Sequence, residues 1–115
     1  MIDGHHNPLT GDQLLAQLAA LANPQRLRII AALQTHGRNY VSQLAREIGI
    51  SRPLLHLHLQ RLEEAGLVTS QLELSADGKA LNYFEVPAFA LQLTPAAIVA
   101  GVQTLTASLT KPDVR

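Results

Sequence analysis

Val41-Ser42-Gln43-Leu44-Ala45-Arg46-Glu47-Ile48-Gly49-Ile50-Ser51-Arg52-Pro53 is the stretch whose reading decides the fold. Leu44, Ala45 and Ile48 recur at the spacing of one face of a short helix, Gln43 to Ile48. Gly49 suits the left-handed residue of a tight inter-helix turn, Ile50 supplies an apolar plug, and Ser51 is a favoured cap for the next helix. Pro53 is tolerated in a first helical turn. Leu55, Leu59 and Leu62 then follow at steps of four and three, which predicts a helix from Arg52 to about Ala65 with these leucines inward.

Upstream, Asp12 to Ala22 carries Leu14, Leu15, Leu18, Leu21 and Ala22 at helical spacing. Asn23-Pro24 stops that helix and starts another, because Asn is a good cap and Pro is welcome at the first helical position. Leu27, Ile30, Ala31 and Leu33 are expected on the inner face of this second helix, and Gly37 ends it. Downstream, extended runs from about Leu67 to Leu74 and Leu81 to Val86 flank Ser75-Ala76-Asp77-Gly78-Lys79, where Asp77-Gly78 signals a hairpin turn. Thr94-Pro95 opens a last helix expected to reach about Leu109. The class is therefore mainly α with a small β-hairpin wing: a winged helix-turn-helix with N- and C-terminal dimerisation helices. Residues 1–11 read as an arm, 12–93 as the winged domain, 94–110 as the terminal helix and 111–115 as a tail.

With 115 residues, the chain suits one modest domain. The absence of cysteine removes disulfides, thiolate metal sites and cysteine nucleophiles together. No glycine-rich phosphate loop, supported Ser/His/Asp pattern or carboxylate pair argues for an enzyme. Met1 to His6 has no basic region followed by an apolar run, so a cytoplasmic protein is expected. From Val86 to Thr110 no residue is charged, but Pro87, Pro95 and several Gln, Thr and Ser residues make the stretch too polar for a membrane span. Net charge is zero, yet between Pro24 and Leu62 lie Arg26, Arg28, Arg38, Arg46, Arg52 and Arg61 against Glu47 alone. That basic middle is either a footprint for phosphates or a solvated face.

Three stretches together resemble the ArsR-like family of transcription regulators: Leu21 to Ile30 as its second-helix entry, Val41 to Pro53 as its helix-turn-helix, and His58 to Val68 as the exit of its recognition helix. With the hairpin and last helix, the resemblance covers about residues 12 to 110. It implies a DNA-binding regulator, expected to be a homodimeric repressor on a palindromic operator. A helix fits the major groove and meets base edges with its N-terminal half, braced by the preceding helix. The expected DNA-facing set is Ser51, Arg52, Leu54, His56, Leu57, Gln60 and Arg61, with Ser42, Gln43 and Arg46 before them and Lys79 at the wing tip. Arg52 is placed to read guanine and His56 a base edge or phosphate, although His56 departs from the small hydroxyl residue the resemblance implies there. Leu54 and Leu57 either meet thymine methyls or pack against the wing or a partner. Arg28, Arg38 and Arg46 are candidates for phosphate contacts. His58 reads as packed and hydrogen-bonded, away from DNA.

Ile98, Val102, Leu105 and Leu109 form a narrow apolar seam, with Ala97, Ala100 and Gly101 permitting close approach. The resemblance implies that this helix pairs with the first helix, through Leu14, Leu18 and Leu21, across a two-fold axis; alternatively it covers its own core. No cofactor or metal is expected. The family's metal-sensing residues are missing, Asp3, His5 and His6 sit on the arm, and His56 and His58 are two apart on a helix, a poor chelate. An effector ligand is not identifiable, though Phe84 and Phe89 flank a segment that would suit an apolar pocket. The rival class is a winged helix used for protein–protein contact, without specific DNA binding.

Overall fold

The computed structural model describes residues 9–106. Along the chain come α1 (Gly11–Leu21), α2 (Pro24–His36), β1 (Asn39–Tyr40), α3 (Val41–Ile48), α4 (Arg52–Glu64), β2 (Thr69–Leu74), β3 (Ala80–Glu85) and α5 (Pro95–Val102). The described residues fall into two compact units: 17–90, and 9–16 with 91–106.

The larger unit is built from strong local signals. Asn23 Oδ1 accepts the backbone N–H groups of Gln25 at 2.9 Å and Arg26 at 3.1 Å, which fixes the start of α2. Between α3 and α4, Gly49 adopts φ 85° and ψ 33°, the left-handed conformation that a side chain disfavours. Ser51 Oγ accepts from the Leu54 N–H at 3.3 Å and caps α4. The far end of α4 closes in a Schellman motif: Leu67 N–H donates to the Leu62 carbonyl at 2.9 Å and Gly66 N–H to that of Glu63 at 3.0 Å. That motif carries Leu67 and Val68 into the interior, where they join Ile29, Leu33, Leu44, Ala45, Leu55, Leu59, Leu62 and Phe84 in one apolar core.

The sheet is antiparallel with strand order β1-β3-β2, in the register Tyr40↔Tyr83 and Tyr83↔Gln71. Two residues are too few to show a periodicity, so β1 was invisible in the sequence; β3 supplies the hydrogen-bonding edge that makes Asn39–Tyr40 a strand. The inner face of α2 also differs from expectation. Ile29 and Leu33 are buried, whereas Leu27 is 53% exposed and Ala31 is exposed. Apolar residues occupy most of α2, so spacing alone leaves its rotation open, and the residue that completes the true inward face, Arg26, is charged.

In the smaller unit, α1 begins with a capping box: Thr10 Oγ1 accepts from Gln13 N–H at 3.1 Å, and Gln13 Oε1 accepts from Thr10 N–H at 2.9 Å. Its first residue, Gly11, lies against Gly101 so closely that a Cβ at position 11 would stand 2.3 Å from the Gly101 carbonyl oxygen. The Gly101 approach expected toward a partner is thus made within the chain. Leu14 is covered here too, 9% exposed, with Gly101 beside it.

The last helix is shorter than its apolar pattern suggests. It stops at Val102, where the N–H groups of Gln103, Thr104 and Leu105 turn to carbonyls three residues back in a tightened final turn. Thr104 Oγ1 donates to the Gly101 carbonyl and accepts from Gly11 N–H at 2.9 Å, and Thr106 N–H donates to Asp12 Oδ1 at 2.9 Å. These side chains offer the backbone an alternative to continued helix, the usual reason Thr is a poor helix interior residue. Leu105 therefore lies beyond the helix, and Leu109 lies outside the described residues. Among the described residues, no helix is long and apolar enough to cross a membrane, and no group of three His, Cys, Asp or Glu gathers as for a metal ion. Asp3, His5 and His6 lie outside the described residues.

Candidate nucleic-acid interface

Helix α4 has two sharply different sides. Leu55, His58, Leu59 and Leu62 are buried, while Arg52, Leu54, His56, Leu57, Gln60 and Arg61 are all exposed. The rotation follows from the leucine period, and the Ser51 cap and Gly49 turn fix where the exposed side begins. Arg52 and Arg46 have no hydrogen-bond or ion-pair partner among the described residues, so both guanidiniums are free. Arg61 stands 3.9 Å from Glu64 in an exposed pair of little energetic weight, and Gln60 Nε2 donates to Glu64 at 3.4 Å. Leu54 and Leu57 are 40% and 46% exposed, so neither is packed away against its own wing.

The bracing helix α3 presents Gln43 and Arg46 outward and leaves Ser42 half-buried. Beside it, His36, Arg38, Asn39, Gln43, Arg46 and Glu47 line an open cleft of about 590 Å³. Glu47 lies 3.5 Å from His36 Nε2 and accepts from Asn39 Nδ2 at 3.4 Å, which leaves Arg46 as the unengaged cation of that cleft. At the wing tip, Lys79 N–H donates to Ser75 Oγ at 3.1 Å and to Asp77 Oδ1 at 3.3 Å, so the turn is tied and the Lys79 ammonium is exposed. The Ser75 hydroxyl, with the Lys79 N–H behind it, holds the Asp77 carboxyl below its ordinary range.

Residues 23–70, which run from the α2 cap to the start of β2, match the family described as bacterial regulatory protein, arsR family. The fold is a winged helix-turn-helix, and over these residues its sequence is similar to that family. An uncharacterised HTH-type transcriptional regulator of Methanocaldococcus jannaschii is 44% identical over 55 residues, 48% of this chain and 57% of that protein. The chain thus matches little more than half the length of that curated relative. Among solved structures, a homodimeric winged helix-turn-helix DNA-binding domain from Mycobacterium bovis, described as a possible ArsR-family transcriptional regulator, is 29% identical with a TM-score of 0.58, over 65% of this chain and 64% of that one. NolR from Sinorhizobium fredii is 27% identical with a TM-score of 0.56, over 72% and 83% of the two chains.

In this segment, two of the arginines expected in a phosphate footprint are otherwise engaged. Arg26 Nε donates to His58 Nδ1 at 3.1 Å, and its Nη1 reaches the Ala19 carbonyl at 3.4 Å and that of Ala20 at 3.5 Å, at the end of α1. His58 is buried as expected, and burial, then the Arg26 charge, pushes its pKa below the ordinary histidine value. Arg38 is committed to the wing: it forks onto Glu73 and lies 4.3 Å from the centre of the Tyr83 ring. Its guanidinium, expected among the phosphate contacts, is thereby engaged within the chain. Arg28 donates weakly to its neighbour Gln25 at 3.3 Å and stays exposed. Phe84 belongs to the core, so it is not available to line an effector pocket beside Phe89. Neither the Arg26–His58 nor the Arg38–Glu73 pairing has a signal in local spacing, because the partners are separated by 32 and 35 residues.

Proposed function

We propose that this protein is a cytoplasmic, sequence-specific DNA-binding transcription regulator that works as a homodimer, most simply as a repressor occupying a palindromic operator. One observation carries the reading: the whole outer side of α4, from Arg52 to Arg61, is solvent-exposed behind a capped, tightly turned start. A helix so presented fits the major groove, with Arg52 forking onto a guanine edge, Leu54 and Leu57 beside thymine methyls, and His56 at a base edge or phosphate. Arg46, Gln43 and Ser42 face the backbone beside the groove, Gln60 and Arg61 follow it, and Lys79 reaches from the wing.

The dimer surface in this reading is α5 with the outer side of α1. Ile98, Val99 and Val102 are 47%, 63% and 58% exposed, and Leu15 is 47% exposed, an apolar group that a second copy would cover. Leu14 packs within its own chain, and Leu18 and Leu21 are half-buried, with Leu21 against the core, so these three contribute less than the periodicity alone suggests. Two copies related by a two-fold axis would set their α4 helices about one DNA turn apart.

Selection of bound fragments from the host genome, followed by an anisotropy titration at several salt concentrations, tests this. The expected result is tight, salt-dependent binding to one sequence that Arg52→Ala weakens by about 1–3 kcal/mol while sparing other duplexes. Binding no better than that of any basic protein would favour the rival class, a protein–protein module, to which the exposed Leu54 and Leu57 would be suited. Thermal-shift screening with small hydrophobic ligands, with and without the selected duplex, would expose an effector.

A further inference from the structure

We propose that Arg38 is a positioning residue that holds the wing in its working orientation and touches no phosphate itself. The proposal rests on the DNA-binding reading only for its second half; its structural half stands alone.

A two-stranded hairpin is marginal in water, and here β2–β3 gains just one further strand, the two residues of β1. Arg38 immediately precedes β1 and compensates for that short attachment. Tyr83 pairs with Tyr40 on one side and with Gln71 on the other, and Glu73, two residues beyond Gln71, lies on the same face of the sheet. The Arg38 side chain runs across this face. It covers the Tyr83 ring at 4.3 Å and ends in a two-point fork on the Glu73 carboxylate, so it ties the entrance of β1 to β2 over the top of β3.

The grip is close to the tip. Glu73 pairs with Leu81, and only the Leu74↔Ala80 pair separates it from the turn that carries Lys79. Tyr40 adds an edge-to-face contact with Tyr83, 5.7 Å between ring centres at 75°, which fixes the surface on which the guanidinium rests. Glu73 answers electrically: the Arg38 hydrogen bonds hold its carboxyl below the ordinary value, as expected for a carboxylate kept charged by the fork. A lysine would keep the charge, but it has neither the planar fork nor the flat face that stacks on the ring.

The experiment uses the full chain, with Arg38→Ala, Arg38→Lys, Lys79→Ala and the Arg38→Ala/Lys79→Ala double variant. Amide hydrogen exchange of β2 and β3 is read against that of α2 and α4 as an internal standard. Both Arg38 variants should speed wing exchange and leave the helices unchanged, with lysine failing to restore protection. On the selected duplex, Arg38→Ala should cost about threefold to tenfold in affinity, the worth of one charge-assisted contact, and that loss should vanish in the Lys79→Ala background. Unchanged wing exchange would overturn the proposal. So would an affinity loss that persists undiminished without Lys79, since Arg38 would then be touching DNA directly. If no duplex binds even the unmodified protein, the DNA reading fails, and the exchange data still decide whether Arg38 holds the wing.

Discussion

His58 makes the fold acid-sensitive, and the sign and ceiling of that effect follow from its surroundings. The imidazole is 6% exposed in the core and accepts a hydrogen bond from Arg26, so a proton on Nδ1 would both abolish that bond and put a second positive charge beside the guanidinium. Burial and the Arg26 charge accordingly lower its pKa in the folded chain from the ordinary 6.5, which the unfolded chain retains. As pH falls through the interval below that ordinary value, the unfolded state takes up the proton first. Stability is therefore fully present at neutral pH and above, declines through the interval, and levels off once the folded form is also protonated. One proton limits the slope to about 1.4 kcal/mol per pH unit. Urea midpoints measured by circular dichroism at fixed protein concentration, from pH 7.5 down to pH 5, should fall for the unmodified chain. His58→Gln, whose amide oxygen can still accept from Arg26, should flatten the profile relative to the parent. Other ionisable groups are common to both chains, so the difference between the two curves isolates His58. Parallel curves would refute the reasoning.

Three further outcomes are expected. Gly49→Ala should lower unfolding free energy by about 1–2 kcal/mol, because a Cβ there meets nothing within 4 Å and the cost is the left-handed backbone alone; a urea titration checks it. Gly11→Ala should loosen the approach of α1 to the Gly101 carbonyl and speed amide exchange from Val99 to Leu105 more than in α4. The salt dependence of operator binding should be shallow for the arginine content. With Arg46, Arg61 and Lys79 as the phosphate contacts of each protomer, a dimer neutralises about six phosphates and log affinity should fall with log salt at a slope of about −5. A slope of about −9 would mean that Arg28 and Arg38 reach the backbone as well.

Much of this architecture was legible because it depends on short-range chemistry. The α2 start needs only Asn23 and Pro24, the inter-helix turn only Gly49, and the hairpin only Asp77-Gly78; each is decided by backbone conformation and hydrogen bonds within a few residues. The inward set of α4 was equally plain, since Leu55, Leu59 and Leu62 stand on a helix whose other side is mostly polar. The rotation of α2 was not, because a wide apolar arc with a charged inward member has no unique phase. The end of α5 was hidden for a related reason. Its apolar seam continues in sequence past Val102, whereas the backbone is stopped by threonines whose partners, Gly11 and Asp12, come from the other end of the chain.

The same distinction separates the arginines, and it narrows the functional claim. Charge counting treats six arginines between Pro24 and Leu62 as one basic patch. The fold divides them by what they bind: Arg26 is spent on a buried histidine 32 residues away and on the nearby α1 terminus, and Arg38 on a wing carboxylate 35 residues away. What remains unengaged, Arg46 and Arg52, stands on the two helices joined by the Gly49 turn. A free guanidinium keeps all its donors for a ligand, whereas one already forked onto a carboxylate must break that pair before it can bind another anion. Affinity for nucleic acid should therefore follow α3 and α4 more closely than the total basic content, and the engaged arginines should be felt in stability and wing order.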